Sequence, residues 1–310
     1  MEFYIWKGHR CVYDKVKGAS GEGSPALLLI HPIGVGLSRN FWQPFIQQWQ
    51  QIIGSRAESQ TIYNPDLLGC GDSEMLRQAY TPRDWAEQLA YFVEQIVKEP
   101  VVIVVQGALL PVAVELMSLS AAQYVKGLVL SGPPAWPLMT TPTAERKTKL
   151  AWQLFSSPLG NAFYRYARRE KFLRSFSQRQ LFDNATDVTA DWLNMLNAGS
   201  QNMDSRYAVF SFLAGFWRQD YGGAIARIQQ PTLIVMGEDA STIDRTVAKQ
   251  MENQSAENEA TDSNRKRLQD YLDHFPRAKG IIISGRNVLP YESTVEFVQV
   301  VAPFVAELTD

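Results

Sequence analysis

Apolar runs and stretches of helical period alternate along this chain. Residues 26–30 (ALLLI) and 101–105 (VVIVV) are apolar throughout, and 125–130 nearly so. Such runs predict strands buried on both faces of a parallel sheet. A shorter strand is predicted at 60–63. Between the runs, Phe41, Phe45 and Trp49 recur every fourth residue, predicting a helix over 41–52. Thr81 and Pro82 mark the start of a helix running to about 98, with Thr81 as N-cap. Residues 109–119 give a third helix. Two short strands, 3–6 and 10–13, flank Lys7-Gly8-His9, and 18–24 is a small-residue turn. Strand, helix, strand at this rhythm predicts an α/β fold, with a mostly parallel sheet and helices on both faces.

The rhythm stops at Ser131-Gly132-Pro133-Pro134. Residues 135–218 are helical in pattern and rich in aromatics, so they predict an inserted helical lid. Strands return at 232–236 and 280–283, and 294–308 is a closing helix. The intervening 240–273 is polar and mostly helical, with a polar loop near 251–264. The expected organisation is a core of 1–134 and 219–310, with a lid at 135–218.

At 310 residues the chain is long enough for one such core plus a lid. The formal net charge of −2 argues against a dedicated nucleic-acid binder. Two cysteines, Cys11 and Cys70, build neither a disulfide framework nor a metal site. No dinucleotide fingerprint or P-loop occurs, so no cofactor is expected. Residues 1–17 lack a charged start followed by an apolar run, and no apolar window reaches membrane-spanning length. A cytoplasmic or stromal location is therefore expected.

Landmark loops follow the predicted strands in order. These are HPIGVG (31–36), NPDLLGCGDS (64–73), QGALLP (106–111), GED (237–239) and GRNVLPYE (285–292). In this order they resemble the loops of the α/β-hydrolase superfamily. The first two are also similar in wording to hydrolase-like proteins of cyanobacteria and chloroplasts. The resemblance implies a strand–turn–helix elbow carrying a nucleophile at Ala108. It implies an oxyanion-hole N–H from Ile33 to Val35 and a late acid at Asp239. It also implies a histidine after the last strand. Pocket walls are expected from His31, Ile33, Gly34, Phe41, Trp42, Ala108 and Leu109.

The chemistry does not follow the resemblance. A methyl group at Ala108 cannot attack a carbonyl. Gln106 and Leu110 replace the small residues that flank a tight elbow, and Gly107 could supply the positive φ. QGALLP reads best as a plain strand-to-helix turn; an introduced Ser→Ala change or a displaced elbow are the alternatives. The histidine position falls on Val288, or on Arg286 or Asn287 by a different count, and none of these titrates near neutrality. A Cys70 thiol with His31 as its base would be a replacement pair at the same sheet end. The bland reading of Cys70 is a small buried loop residue.

The lid adds a charge pattern. Between 144 and 176, eight Lys/Arg stand against two Glu. Arg165, Arg168, Arg169, Lys171 and Arg174 are interleaved with Phe163, Tyr164, Tyr166, Phe172 and Phe176. The bland reading is a solvated lid face; the sharper one is a surface for an anionic membrane or an acidic protein. A second aromatic group (Trp192, Tyr207, Phe210, Phe212, Phe216, Trp217) points to an apolar cleft. The expected function is a non-catalytic homologue that binds a lipophilic ligand or a partner protein. The alternatives are a hydrolase of lipophilic esters using Cys70 and His31, or a structural subunit whose lid is an interface.

Overall fold

The computed structural model describes residues 1–18, 24–53, 60–242 and 260–308. Most of the 18–24 turn and much of the 251–264 loop lie outside the described residues. The strands are β1 (Glu2–Trp6), β2 (His9–Val16), β3 (Ala26–Ile30), β4 (Ile62–Pro65), β5 (Val101–Gln106), β6 (Val125–Ser131), β7 (Thr232–Gly237) and β8 (Ala278–Ile283). They form one sheet in the order β1-β2-β4-β3-β5-β6-β7-β8. The β1–β2 hairpin and the β2–β4 pair are antiparallel; every other pair is parallel.

Alternation along the apolar strands divides the core in two. Leu28, Ile30, Ile103 and Val105 face one layer, while Leu27, Leu29, Val102 and Val104 face the other. Helices α1 (Gln43–Ile53) and, at the chain end, residues 294–306 close the second layer through Phe45, Trp49, Phe297 and Val301. Helices α2 (Pro82–Phe92) and α3 (Leu110–Leu116) close the first through Trp85, Leu89, Val112 and Leu116. Each such buried side chain contributes roughly 1.5–3 kcal/mol relative to exposure, and the one buried amide on α2, Gln88, is satisfied by Leu68 N–H, Tyr4 Oη and Asp66 O. Thr81 caps α2 as its position predicts, in a reciprocal box with Asp84. The predicted extension to 98 holds: Lys98 N–H bonds Val93 O, five residues back, and Lys98 turns left-handed at φ 58. Strand β4 starts later than the 60–63 run, because its ladder with β2 begins at Ile62, opposite Val16 where β2 ends, and runs to Pro65.

Between β6 and β7 stands a helical segment. It comprises α4 (Trp136–Thr140), α5 (Glu145–Phe155), α6 (Pro158–Ala167), α7 (Glu170–Phe176), α8 (Ala190–Gly199), α9 (Arg206–Ala214) and α10 (Gly222–Ile225). After β7 come α11 (Ala260–Leu272), β8, α12 (Leu289–Glu292) and α13 (Thr294–Ala306).

Two loop anchors position the sheet end that matters. Asp66, after β4, is fully buried and accepts from the backbone N–H of Arg39 (2.9 Å) and of Asp72 (2.8 Å). It also pairs with the Arg39 guanidinium, which donates further to Asp14 and Asp72 at 2.8 Å each. Burial pulls the Arg39 pKa down, but the three carboxylates outweigh it and the pKa rises. Gly36 is the second anchor. Its φ is +79 and an added Cβ would lie 2.0 Å from Leu196 O, so the loop after β3 seats directly on α8.

Candidate functional site

The carboxyl ends of β3, β5, β6, β7 and β8 border a cavity of about 550 Å³. That size suits a small organic molecule. Pro32 to Val35 and Leu37 form one wall, and Gln106, Gly107 and Ala108 form the floor. The helical segment supplies the apolar wall, including Phe163, Phe172, Phe176, Phe210, Phe212 and Trp217. Tyr164 also lines it, its hydroxyl 2.7 Å from Ser205 Oγ. Burial pushes the Tyr164 pKa up to about 12, so the phenol stays neutral.

The strand-to-helix turn corrects the expected nucleophile position. The residue in left-handed backbone is Gly107, at φ +60, not Ala108. Backbone strain marks the tip of such an elbow. The tip is therefore a glycine, and the next residue is an alanine. The turn comes one residue early because β5 continues through Gln106 and Pro111 sits in the first turn of α3. A Cβ on Gly107 would meet only Gly132 O, at 4.0 Å.

The expected acid and base positions also move. Asp239 is exposed and does not line the cavity. The loops after β7 and β8 are joined instead by Ser241 and Asn287. Ser241 N–H donates to Asn287 Oδ1 (3.2 Å), and Asn287 Nδ2 donates to Ser241 Oγ (3.0 Å). Asn287 O accepts from Gln106 Nε2 at 2.7 Å, which ties this pair to the floor. Asn287 and Val288 reach the cavity, whereas Arg286 turns away to Arg179 O (3.2 Å) and Asp183 (3.5 Å). An amide, a hydroxyl and an isopropyl group cannot shuttle a proton at neutral pH.

The Cys70–His31 pair is corrected too. His31 is fully buried beneath the loop and does not line this cavity. Its Nε2 accepts from Leu67 N–H at 3.1 Å, so the proton sits on Nδ1, which donates to Pro32 O at 2.8 Å. Both ring nitrogens are committed, and burial holds the His31 pKa below its ordinary value. The ring stays neutral and has no free lone pair for a thiol proton. Burial, with Asp66 nearby, pushes the Cys70 thiol pKa far up, which suppresses the reactive thiolate. The ring props the loop, and the cysteine packs.

Three expected pocket residues belong to the core. Phe41 and Trp42 are fully buried and pack edge-on at 5.2 Å. Phe41 also meets Trp192 and Tyr291. Leu109 points into the opposite layer of the core. Within the basic stretch, Arg168 donates to Gln201 (3.1 Å) and Arg174 pairs with Glu170 (2.9 Å). Arg165, Arg169 and Lys171 are exposed.

Among the cavity residues outside the expected set, Arg267 is the buried cation. Arg267, on α11, is 4% exposed and lines the cavity. The polar stretch hid it. Its signal was the spacing of the buried positions Asn264, Arg267, Leu268 and Tyr271, which form one helical face with an arginine on it.

The family model described as the alpha/beta hydrolase family matches residues 27–300. No curated protein matches the chain. A thermophilic esterase from Thermogutta terrifontis, solved with malate bound, superposes with a TM-score of 0.69 at 15% identity, over 99% of this chain and 97% of that one. An esterase from Exiguobacterium antarcticum gives 0.69 at 12%, over 96% of each chain. The enol-lactonase from Burkholderia xenovorans LB400 gives 0.65 at 13%, over 98% of this chain and 100% of that one. Identities this low speak for the shared fold alone. With the family match, the strand order and the loops in place, the chain belongs to the α/β-hydrolase family.

Proposed function

We propose that this chain is a non-catalytic α/β-hydrolase homologue that holds a lipophilic small molecule in the cavity above Gly107 and Ala108. The observation that carries the reading is the tip of the elbow. Glycine and alanine stand there, and an asparagine and a valine stand opposite. The cavity has the size of a substrate site, while among the described residues the tip offers no attacking atom and the residues opposite offer no proton acceptor. The esterases and the lactonase among the structural relatives make ester hydrolysis the competing reading. The helical segment acts as the lid, since it supplies most of the apolar wall.

Binding of the neutral fluorophore Nile red tests this. The native chain is expected to enhance its emission saturably. Ala108→Trp fills the floor of the cavity and is expected to weaken binding by at least ~10-fold, on the order of 1.4 kcal/mol. Equal binding by both proteins would place the probe elsewhere and remove the reading.

A second reading concerns where the ligand is met, and a specific observation favours it. Leu150, Leu154, Leu159, Phe163 and Tyr166 are exposed on α5 and α6, among the exposed cations Lys149, Arg165 and Arg169. Phe163 also lines the cavity, so this face adjoins its rim. Leucines among cations suit an anionic bilayer surface better than an acidic protein. No helix of the described residues is long and apolar enough to cross a membrane, so contact would be peripheral. Vesicles containing phosphatidylglycerol are expected to sediment the chain, with binding falling as salt rises. Equal sedimentation with pure phosphatidylcholine, or none with either, would end this reading.

A further inference from the structure

Arg267 sits in the cavity with no counter-charge among the described residues. Its Nη2 donates to Pro133 O, and its Nε is enclosed with no partner. A guanidinium has five donors, so most of its capacity is unspent. Among the described residues, no Asp or Glu lines the cavity, while Arg267 does. A structural strut does not explain this. Two residues lie on the same helical face beside Arg267 and already tie α11 down with neutral groups. Tyr271 donates its hydroxyl to Pro134 O at 2.7 Å, and Asn264 donates to Glu238 O at 2.8 Å. A charge adds nothing to that anchoring and is costly to bury unpaired.

We infer that the cavity takes a lipophilic carboxylic acid, its carboxylate seated on the Arg267 guanidinium and its apolar body along the aromatic wall. This rests on the binding-cavity reading above and narrows its ligand. A carboxylate matches one guanidinium in charge and in planar, forked geometry. The aromatic side chains of α6, α7 and α9 then bury the chain of the acid. Burial lowers the Arg267 pKa, with nearby Tyr271 opposing.

Displacement of Nile red by dodecanoate, dodecanol and methyl dodecanoate tests the inference with matched chains. The native protein is expected to prefer dodecanoate over dodecanol by ~10–100-fold, the range of a charge-assisted contact. Arg267→Met is expected to bring that ratio close to one by lowering dodecanoate affinity. Arg267→Lys, which keeps a charge without the fork, is expected to keep part of the preference. Thermal melts identify any variant that fails to fold, and the native ratio stands as a test without variants. If dodecanoate and dodecanol displace the probe equally from the native chain, the inference falls and the binding reading stands. A preference that survives Arg267→Met has the same consequence. If Nile red binds but none of the three displaces it, the inference also falls. If Nile red itself fails to bind in the cavity, both fall.

Discussion

Replacing Asp66 with alanine is expected to lower the free energy of unfolding by about 3–5 kcal/mol. The carboxylate is fully buried and answers two backbone N–H groups and one guanidinium. Its removal leaves Arg39 buried with a reduced counter-charge and two amides unpaired. That loss is large against the roughly 5–15 kcal/mol by which domains are stable. The neighbouring Asp72 carboxylate makes a similar 2.8 Å contact to Arg39, but its side chain is 56% exposed. Water screens that pair, so Asp72→Asn is expected to cost less than about 1 kcal/mol. Urea titration of the two variants beside the native chain checks the contrast. Similar small losses in both would show that the buried cluster does not hold the loops after β3 and β4.

The consequence reaches the site, because the same cluster fixes the loop that forms one cavity wall. Arg39 follows that loop directly, and Asn64 Nδ2 donates to Arg39 O at 3.0 Å. A softened cluster is thus expected to loosen Pro32 to Leu37 as well as the fold.

What could be read beforehand depended on whether the signal was local. The strands β3, β5 and β6 are near-continuous apolar runs, and a strand buried on both faces leaves just that trace. The α2 cap was legible because Thr81, Pro82 and Asp84 are adjacent in the chain. Which face a residue presents was harder. Phe41 and Trp42 follow the HPIGVG loop in sequence, yet the turn at Arg39–Trp42 directs both into the layer beneath α8 and α12. His31 lies at the right sheet end, but its lone pair is taken by Leu67 N–H, a contact 36 residues away that no local pattern announces. The elbow tip falls one residue before Ala108, since where a strand stops depends on its ladder with β6, which runs through Gln106 and Ser131. Arg267 was missed because charge in a polar stretch reads as solvent-facing until the helix is placed against β7 and β8.

A second expected result concerns the rate of ester cleavage. Losing a nucleophile or its base costs around 10⁶-fold, while an oxyanion loop and binding alone retain around 10³–10⁴ over water. Gly107→Ser should not repair this. The hydroxyl would fit, since nothing but Gly132 O comes within 4.0 Å, at a strain of ~1–2 kcal/mol for a left-handed serine. It would still face Asn287 and Val288, with no group among the described residues to take its proton. Ester cleavage by Gly107→Ser is therefore expected to match that of the native chain.

The most direct measurement is a single-turnover incubation of the native chain, in excess, with p-nitrophenyl octanoate. A binding cavity without chemistry predicts that the ester displaces Nile red and is recovered intact, with nitrophenol released no faster than in buffer. Release that saturates with protein and disappears in Ala108→Trp would mean that catalysis takes place in the cavity, by machinery other than the elbow.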